Sequence, residues 1–443
     1  MKRLSSVLVA LFFITGMSLA QTPFNEAKVT QSGDDQTSEI TQTAIQNFAY
    51  TNQFGDLNEA YVVQETGGNN TAIGGKNESN IDQGSEQMQA TENWANVWQQ
   101  TKYGGGENLS NIVQDGLDNE TDVWQQTNDA DLNKSNITQG VEGNKADVWQ
   151  HAGYYGGSNE SNITQLGYSN EADIWQQTMF GGENTSTVLQ GSNYAEGNKA
   201  EVTQQVAKFG RTGSGTNTSV ISQYYHDNEA IVDQRTLENG GTNISSIYQS
   251  LSSLGNGNFA EVKQQTKYGN NGGGGMNESA LVQKGENNEI YLGQGTNGAE
   301  YNKSDIWQEG DDNMVDVKQG TYYYAGENIS DIDQIGSSNE AYVDQKSWRG
   351  GTNESIILQD GDSRPYHKMN YADVTQTVAD GALGTNYSEI NQHGKKNDVT
   401  VYQEFTGSGL WNNSVVTQFG RHHNADVHQV GNGNTSTISQ SNL

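Results

Sequence analysis

Residues 159 to 177 read NESNITQLGYSNEADIWQQ, in which Asn159, Ser161, Ile163 and Gln165 return eleven residues later as Asn170, Ala172, Ile174 and Gln176. The unit is Asn-x-(Ser/Ala)-x-(Ile/Val)-x-Gln. It recurs about 31 times, from Asn25-Ala27-Val29-Gln31 to Asn434-Ser436-Ile438-Gln440. A chain that repeats one short unit over nearly its whole length folds as an array in which each unit reproduces its predecessor's geometry.

The period inside the unit is two. In an extended strand the Asn, the small residue, the aliphatic residue and the Gln therefore share one face, whereas a helix would scatter them around its circumference. Connectors such as Gly104-Gly105-Gly106 and Gly272 to Gly275 argue further against helix. Only two prolines occur, Pro23 and Pro365, so almost nothing in the chain resists extended pairing. From Ser79 onward, Ser-type and Ala-type units alternate: Ser135, Ala146, Ser161, Ala172, Ser186, Ala200. Two strands then make one coil. The Ser-to-Ala connection is compact, as from Gln165 to Asn170, and the return connection is longer and richer in Gly. Coils of this kind stack by parallel pairing into two facing sheets, so the expected fold is all-β: a two-sheet β-solenoid of stacked strand-turn-strand repeats. No polar or helical cap is recognisable before the first unit or after the last, so the solenoid is expected to be open at both ends, suited to head-to-tail growth as a homopolymer.

Composition sharpens this reading. The 443 residues are only 32% hydrophobic and carry a formal net charge of -31, a balance that by itself would suggest disorder. Two aliphatic side chains per coil cannot offset the entropy of ordering it. Cohesion must come from backbone pairing and from amides bonding to the same residue one coil away. The expected ladders include Asn133, Gln139, Asn144, Gln150, Asn159, Gln165, Asn170, Gln176, Asn434 and Gln440. An amide has both a donor and an acceptor to pass along such a stack, and a buried Glu would repel its neighbour.

The string Gln165-x-Gly167-x-x-Asn170-x-Ala172-x-x-x-Gln176 resembles the curlin repeat of curli fibre subunits, as does Gln139-x-x-x-Asn144-x-Ala146-x-x-x-Gln150. Asn159 stands where curlin units commonly open with Ser. The resemblance implies a functional amyloid: a subunit exported through an outer-membrane curli-type channel, templated by a nucleator, and polymerised at the bacterial cell surface into biofilm-matrix fibres. Lys2 and Arg3 followed by the apolar run Val7 to Ile14 and by Ser18-Leu19-Ala20 read as a secretion signal over residues 1–20, leaving 21–443 as the repeat solenoid. The run is too short to span a bilayer, so the chain is not expected to be membrane-embedded.

Outward positions carry further expectations. Asp122, Asp147, Asp173 and Glu201 should stack as a carboxylate column, beside Glu120, Lys145, Glu171 and Lys199, which alternate in sign. Trp98, Trp124, Trp149 and Trp175 should form an exposed aromatic column, with Trp307 off it on a Ser-type unit. That column supports an alternative function, a monomeric adhesin binding carbohydrate. The negative charge argues against nucleic acid. Cysteine is absent, no phosphate-cradling motif occurs, and His422, His423 and His428 are the only histidine cluster. No catalytic, cofactor or metal site is assigned and no enzyme activity is expected.

Overall fold

The structure is a computed structural model that describes residues 25–67, 75–84, 90–102, 105–128, 131–153, 156–179, 181–207, 215–237, 240–251, 256–267, 275–298, 300–322, 326–361, 370–409 and 411–442. The secretion signal expected over 1–20 lies outside these residues. All regular structure among them is strand, numbered from β1 (Glu26–Ser32) and β2 (Thr37–Thr43) to β31 (Asn424–Gly431) and β32 (Thr435–Ser441). The strands form two parallel sheets stacked as a β-solenoid.

Successive strands alternate between sheets. β10 (Leu132–Glu142) and β12 (Ser158–Tyr168) are neighbours in the first sheet, with Asn133, Ser135, Ile137 and Gln139 opposite Asn159, Ser161, Ile163 and Gln165. β11 (Lys145–Gly153) and β13 (Glu171–Met179) are neighbours in the second, with Ala146, Val148 and Gln150 opposite Ala172, Ile174 and Gln176. The repeat positions thus lie in register on their successors, with an irregularity past the repeat, between Leu166 and Tyr168, where β12 meets the next strand of its sheet. Burial alternates residue by residue, as the period of two requires. The inner rows are fully enclosed: Gln139, Gln150, Gln165 and Gln176 are each 0% exposed.

Those buried amides are satisfied lengthwise. In the first sheet Gln139 Nε2 donates to Gln165 Oε1 at 2.9 Å, and Gln165 to Gln190 at 2.9 Å. The same bond runs unbroken from Gln31 to Gln440, at 2.7–3.0 Å throughout. In the second sheet it runs from Gln42 to Gln429 through Gln150 and Gln176. Within these two columns each Gln–Gln bond is donated towards the C-terminal end. The Asn columns run the other way: Asn159 Nδ2 donates to Asn133 Oδ1 at 2.8 Å and Asn170 to Asn144 at 2.9 Å. Gln165 Nε2 also reaches the carbonyls of Lys145 at 2.8 Å and Asn170 at 2.9 Å, so each column ties the two sheets together as well.

Between the amide columns lies one continuous apolar seam that includes Ile137, Ile163, Val148 and Ile174. The Ser row behaves differently from the amide rows. The hydroxyls of Ser135, Ser186 and Ser219 find no hydrogen-bond partner among the described residues. That position does not require a hydroxyl, since the facing sheet carries Ala there in most strands and Ile290, Val315 and Val399 in three others.

The connectors are close-packed too. In the compact arch from Gln308 to Asn313, Gly310 has φ +119° and a Cβ there would overlap the carbonyl oxygen of Gly336 in the next arch. At the opposite edge a fifth inward row appears that the repeat template omits: Thr101, Thr127 and Thr178, two residues beyond the second-sheet Gln. Gly157 lies against Thr178, where a Cβ would strike the Thr side chain. Asp131 replaces that glycine one coil earlier, and Ala152, small and fully buried, stands in the Thr row of the following strand. The Asp131 carboxylate accepts from the backbone N–H groups of Gly156 at 2.6 Å and Gly157 at 2.7 Å.

The columns yield a contrast between two buried polar substitutions. Gln165→Glu buries a charge between two carboxamides and is expected to cost about 3 kcal/mol or more at neutral pH, shrinking in acid as the carboxyl protonates. Ser186→Ala is expected to stay within about 1 kcal/mol of the parent. Denaturant midpoints of the two variants check both; a neutral Gln165→Glu would contradict the ladder's role.

Candidate functional site

The structure presents two kinds of candidate site: the outward columns on the sheet faces and the strand edges at each end. On the second sheet, pairing in register sets Trp98, Trp124, Trp149 and Trp175 on successive strands. Their ring centroids are 4.9, 4.8 and 5.0 Å apart, with planes within 5° of parallel. The column is half-buried rather than fully exposed, because each ring covers its neighbour's face and leaves its edge to solvent. Only the outer faces of Trp98 and Trp175, next to Val63 and Thr203, lack an indole partner. Sugar rings pack on aromatic faces, so the stack offers little of what a carbohydrate site needs. Stacking of this kind recurs as Tyr322 on Trp348 at 4.7 Å and Tyr402 on His428 at 4.8 Å, which makes it a general axial contact of the fold. Trp307 lies on the other sheet, with the Lys284 ammonium 4.0 Å from its ring centre.

Beside the Trp column runs the carboxylate column. Asp122, Asp147, Asp173 and Glu201 occupy consecutive rungs and, with the indoles, line a groove of about 410 Å³. Lys145 approaches Asp147 to 3.1 Å, and Asn96 donates to Asp122 at 2.8 Å. Asp173 has no such lysine. Burial first, then the neighbouring Asp147 and Glu171 carboxylates, push its carboxyl from 3.8 up to about 6. Burial also raises Asp122 and Asp373 on this sheet, and Asp331 and Asp333 on the other. The face is therefore charged at neutral pH and partly discharged by mild acid.

His422, His423 and His428 do not converge: His423 bonds the Phe419 carbonyl at 3.1 Å and His428 stacks on Tyr402. Among the described residues no group of three or more His, Cys, Asp or Glu is placed to hold a metal ion, and no helix is long and apolar enough to cross a membrane.

The strand edges are the second site. β1 and β2 pair on one side only, as do β31 and β32, so their far edges present free backbone N–H and C=O groups among the described residues. The amide columns end there with opposite polarity. Gln31 and Gln42 donate inward and accept no hydrogen bond from another described residue. Gln440 and Gln429 accept from Gln418 and Gln403 and send their protons to the carbonyls of Asn424 and Asn413. Asn434 donates to Asn412 at 3.0 Å. Both Gln columns are thus left at each edge ready to meet another rung.

Comparison with known families agrees with the repeat. Residues 411–441, which hold β31, β32 and the whole of the strand before them (Asn412–Arg421), match the family model described as the curlin associated repeat. No curated protein matches the chain.

The carboxylate column gives a signed pH dependence. Between about pH 4 and about pH 6 the folded chain keeps a proton on Asp173 that the unfolded chain releases, so stability contributed by this group falls as pH rises through that window. Because the group is only half-buried, solvent reduces the size of the effect. Asp173→Asn should flatten the fall and raise the denaturation midpoint at neutral pH while leaving the acid side unchanged; an unaltered pH profile would contradict the assignment.

Proposed function

We propose that the chain is a secreted structural subunit that assembles end to end into extracellular curli-like amyloid fibres at the bacterial cell surface, serving biofilm matrix, adhesion and aggregation. A curlin repeat within a β-solenoid marks a structural protein rather than an enzyme. The observation that carries the reading is the continuity of the amide columns from the first rung to the last, with both ends left as open edges of complementary polarity. Growth of such an object satisfies groups that water otherwise has to satisfy, and because the two ends differ, the contact does not close on itself.

The curlin resemblance further implies a nucleator subunit and an outer-membrane export channel as partners. The negative charge suits this role: two copies of a chain with a formal net charge of -31 repel as they approach, which holds the exported chain back from assembly until protonation or salt relieves it. The alternative, a monomeric adhesin reading carbohydrate with its Trp column, has less support, since the indole faces are occupied by one another.

Incubating purified residues 21–443 at neutral pH tests the proposal. The expected product is unbranched fibres that bind thioflavin and diffract at about 4.7–4.8 Å along their axis, forming sooner at mild acid pH or raised salt. A chain that stays monomeric through prolonged incubation under all these conditions would contradict it.

A further inference from the structure

The solenoid has an odd number of full-length strands among the described residues. Among the described residues the first sheet has seventeen strands, one of which is the two-residue strand Ala90–Thr91, and the second has fifteen. β1 and β32 both lie in the first sheet, so the array opens and closes on the same side. Suppose a second copy is set on β32 without rotation. Its β1 then pairs with β32, and the level between β31 and its β2 holds no strand. A copy turned by half a turn about the long axis instead seats its β1 on β31 and its β2 on β32, and every level of both sheets is filled.

Resting on the end-to-end assembly proposed above, we propose that successive subunits are related by a half turn about the fibre axis, so that the two sheets exchange at every junction. The inward rows carry this most directly. β31 presents Ala425, Val427 and Gln429, and β1 presents Ala27, Val29 and Gln31. β32 presents Ser436, Ile438 and Gln440, and β2 presents Ser38, Ile40 and Gln42. The half turn continues these three rows with the same residue type, whereas in the Asn row it sets Asn25 on His423 and Gln36 on Asn434. The unrotated stack sets Ala27 on Ser436 and Val29 on Ile438. Within the body of the array the first sheet carries Ser in this row from Ser79 onward, yet β1 carries Ala27 and β2, in the second sheet, carries Ser38. Ala49 on the next first-sheet strand shares the inversion, and inside the chain it creates only mismatches, Ser38 beside Ala60 and Ala49 beside Ser79. At a half-turn junction it continues the pattern.

The connectors permit the exchange. In the middle of the array one edge of the coil is compact, as from Gln165 to Asn170, and the other is longer, as from Gln150 to Asn159. At the ends both edges are compact: Gln31 to Gln36 and Gln42 to Asn47 at one, Gln418 to His423 and Gln429 to Asn434 at the other. The turn after β31 places Gly431 at φ +108°, and the turn after β1 places Gly33 at φ +140°, each two residues beyond its Gln. The distinction between the two edges that would bar a half turn is absent where the half turn is needed.

Charge points the same way. Lys28, Glu39, Asp426 and Thr437 all point outward and are exposed. The half turn sets Lys28 beside Asp426 and Glu39 beside Thr437. The unrotated stack aims Glu39 at Asp426, two carboxylates on the same column. The amide polarity is met in the half-turn arrangement: Gln429 and Gln440 offer Nε2 protons to the Oε1 atoms of Gln31 and Gln42.

The chain has no cysteine, so introduced thiols report the junction without background. Two double variants are assembled and treated with a short thiol-bridging reagent, then denatured and sized: Lys28→Cys with Asp426→Cys, and Lys28→Cys with Thr437→Cys. In-register parallel neighbours lie about 4.8 Å apart, within bridging distance. Covalent multimers from the 28/426 pair and only monomer from the 28/437 pair are expected. Multimers from the 28/437 pair, or from neither in fibres that do form, overturn the half turn while leaving end-to-end assembly standing. If the unsubstituted chain forms no fibres, the assembly reading itself fails and the junction falls with it.

Discussion

A carboxamide buried in this molecule is satisfied by another carboxamide one coil away. Two Gln columns and one Asn column run the length of the solenoid, and a second Asn column runs from Asn119 to Asn397. The hydrophobic seam between them is thin, two aliphatic side chains to a coil. Primary amides suit the task because each carries donor and acceptor on one planar group, so the bond that satisfies one rung poses the same requirement to the next. The columns run in opposite senses, Gln donating towards the C-terminal end and Asn towards the N-terminal end. Every rung is therefore bound in both directions, and an end rung is the one place where the requirement is left to water or to another molecule.

With cohesion vested in the inner rows, the outward positions are released from fold constraints and diverge. They still stack at one-coil spacing, so whatever they carry becomes a column. Indoles cover each other's faces and add axial contact, lysines settle beside carboxylates, and unpaired aspartates such as Asp173 accumulate charge that burial makes costly. Cohesion and its electrostatic opposition thus lie on the two faces of the same strands, and mild acid shifts the balance between them.

Much of this was legible in the chain. The period of two placed Asn159, Ser161, Ile163 and Gln165 on one face, and the alternation of Ser and Ala units separated the two sheets. Burial of both Gln rows followed from the low content of apolar residues. Other features were not legible, for identifiable reasons. The direction of each amide column depends on side-chain torsions that a residue name does not encode. The Thr101, Thr127 and Thr178 row lies one step past the template, although Thr two residues after Gln99, Gln125 and Gln176 was a readable signal. The compensation of Asp131 by Ala152 requires knowing which residues meet across a coil. The Trp column was readable as a column, but its half-burial came from ring stacking, which spacing does not reveal.

The central claim is that inward amides hold each coil to its neighbours. Hydrogen exchange of the Gln and Asn side-chain NH2 groups measures this directly, by NMR on chain labelled at those nitrogens. Protons on Gln139, Gln165, Gln150 and Gln176 should exchange as slowly as the backbone amides of their own strands, with Gln31 and Gln440 at the end rungs much faster. Exchange of the interior Gln protons at the rate of free carboxamides, in a chain whose backbone remains protected, would contradict the account.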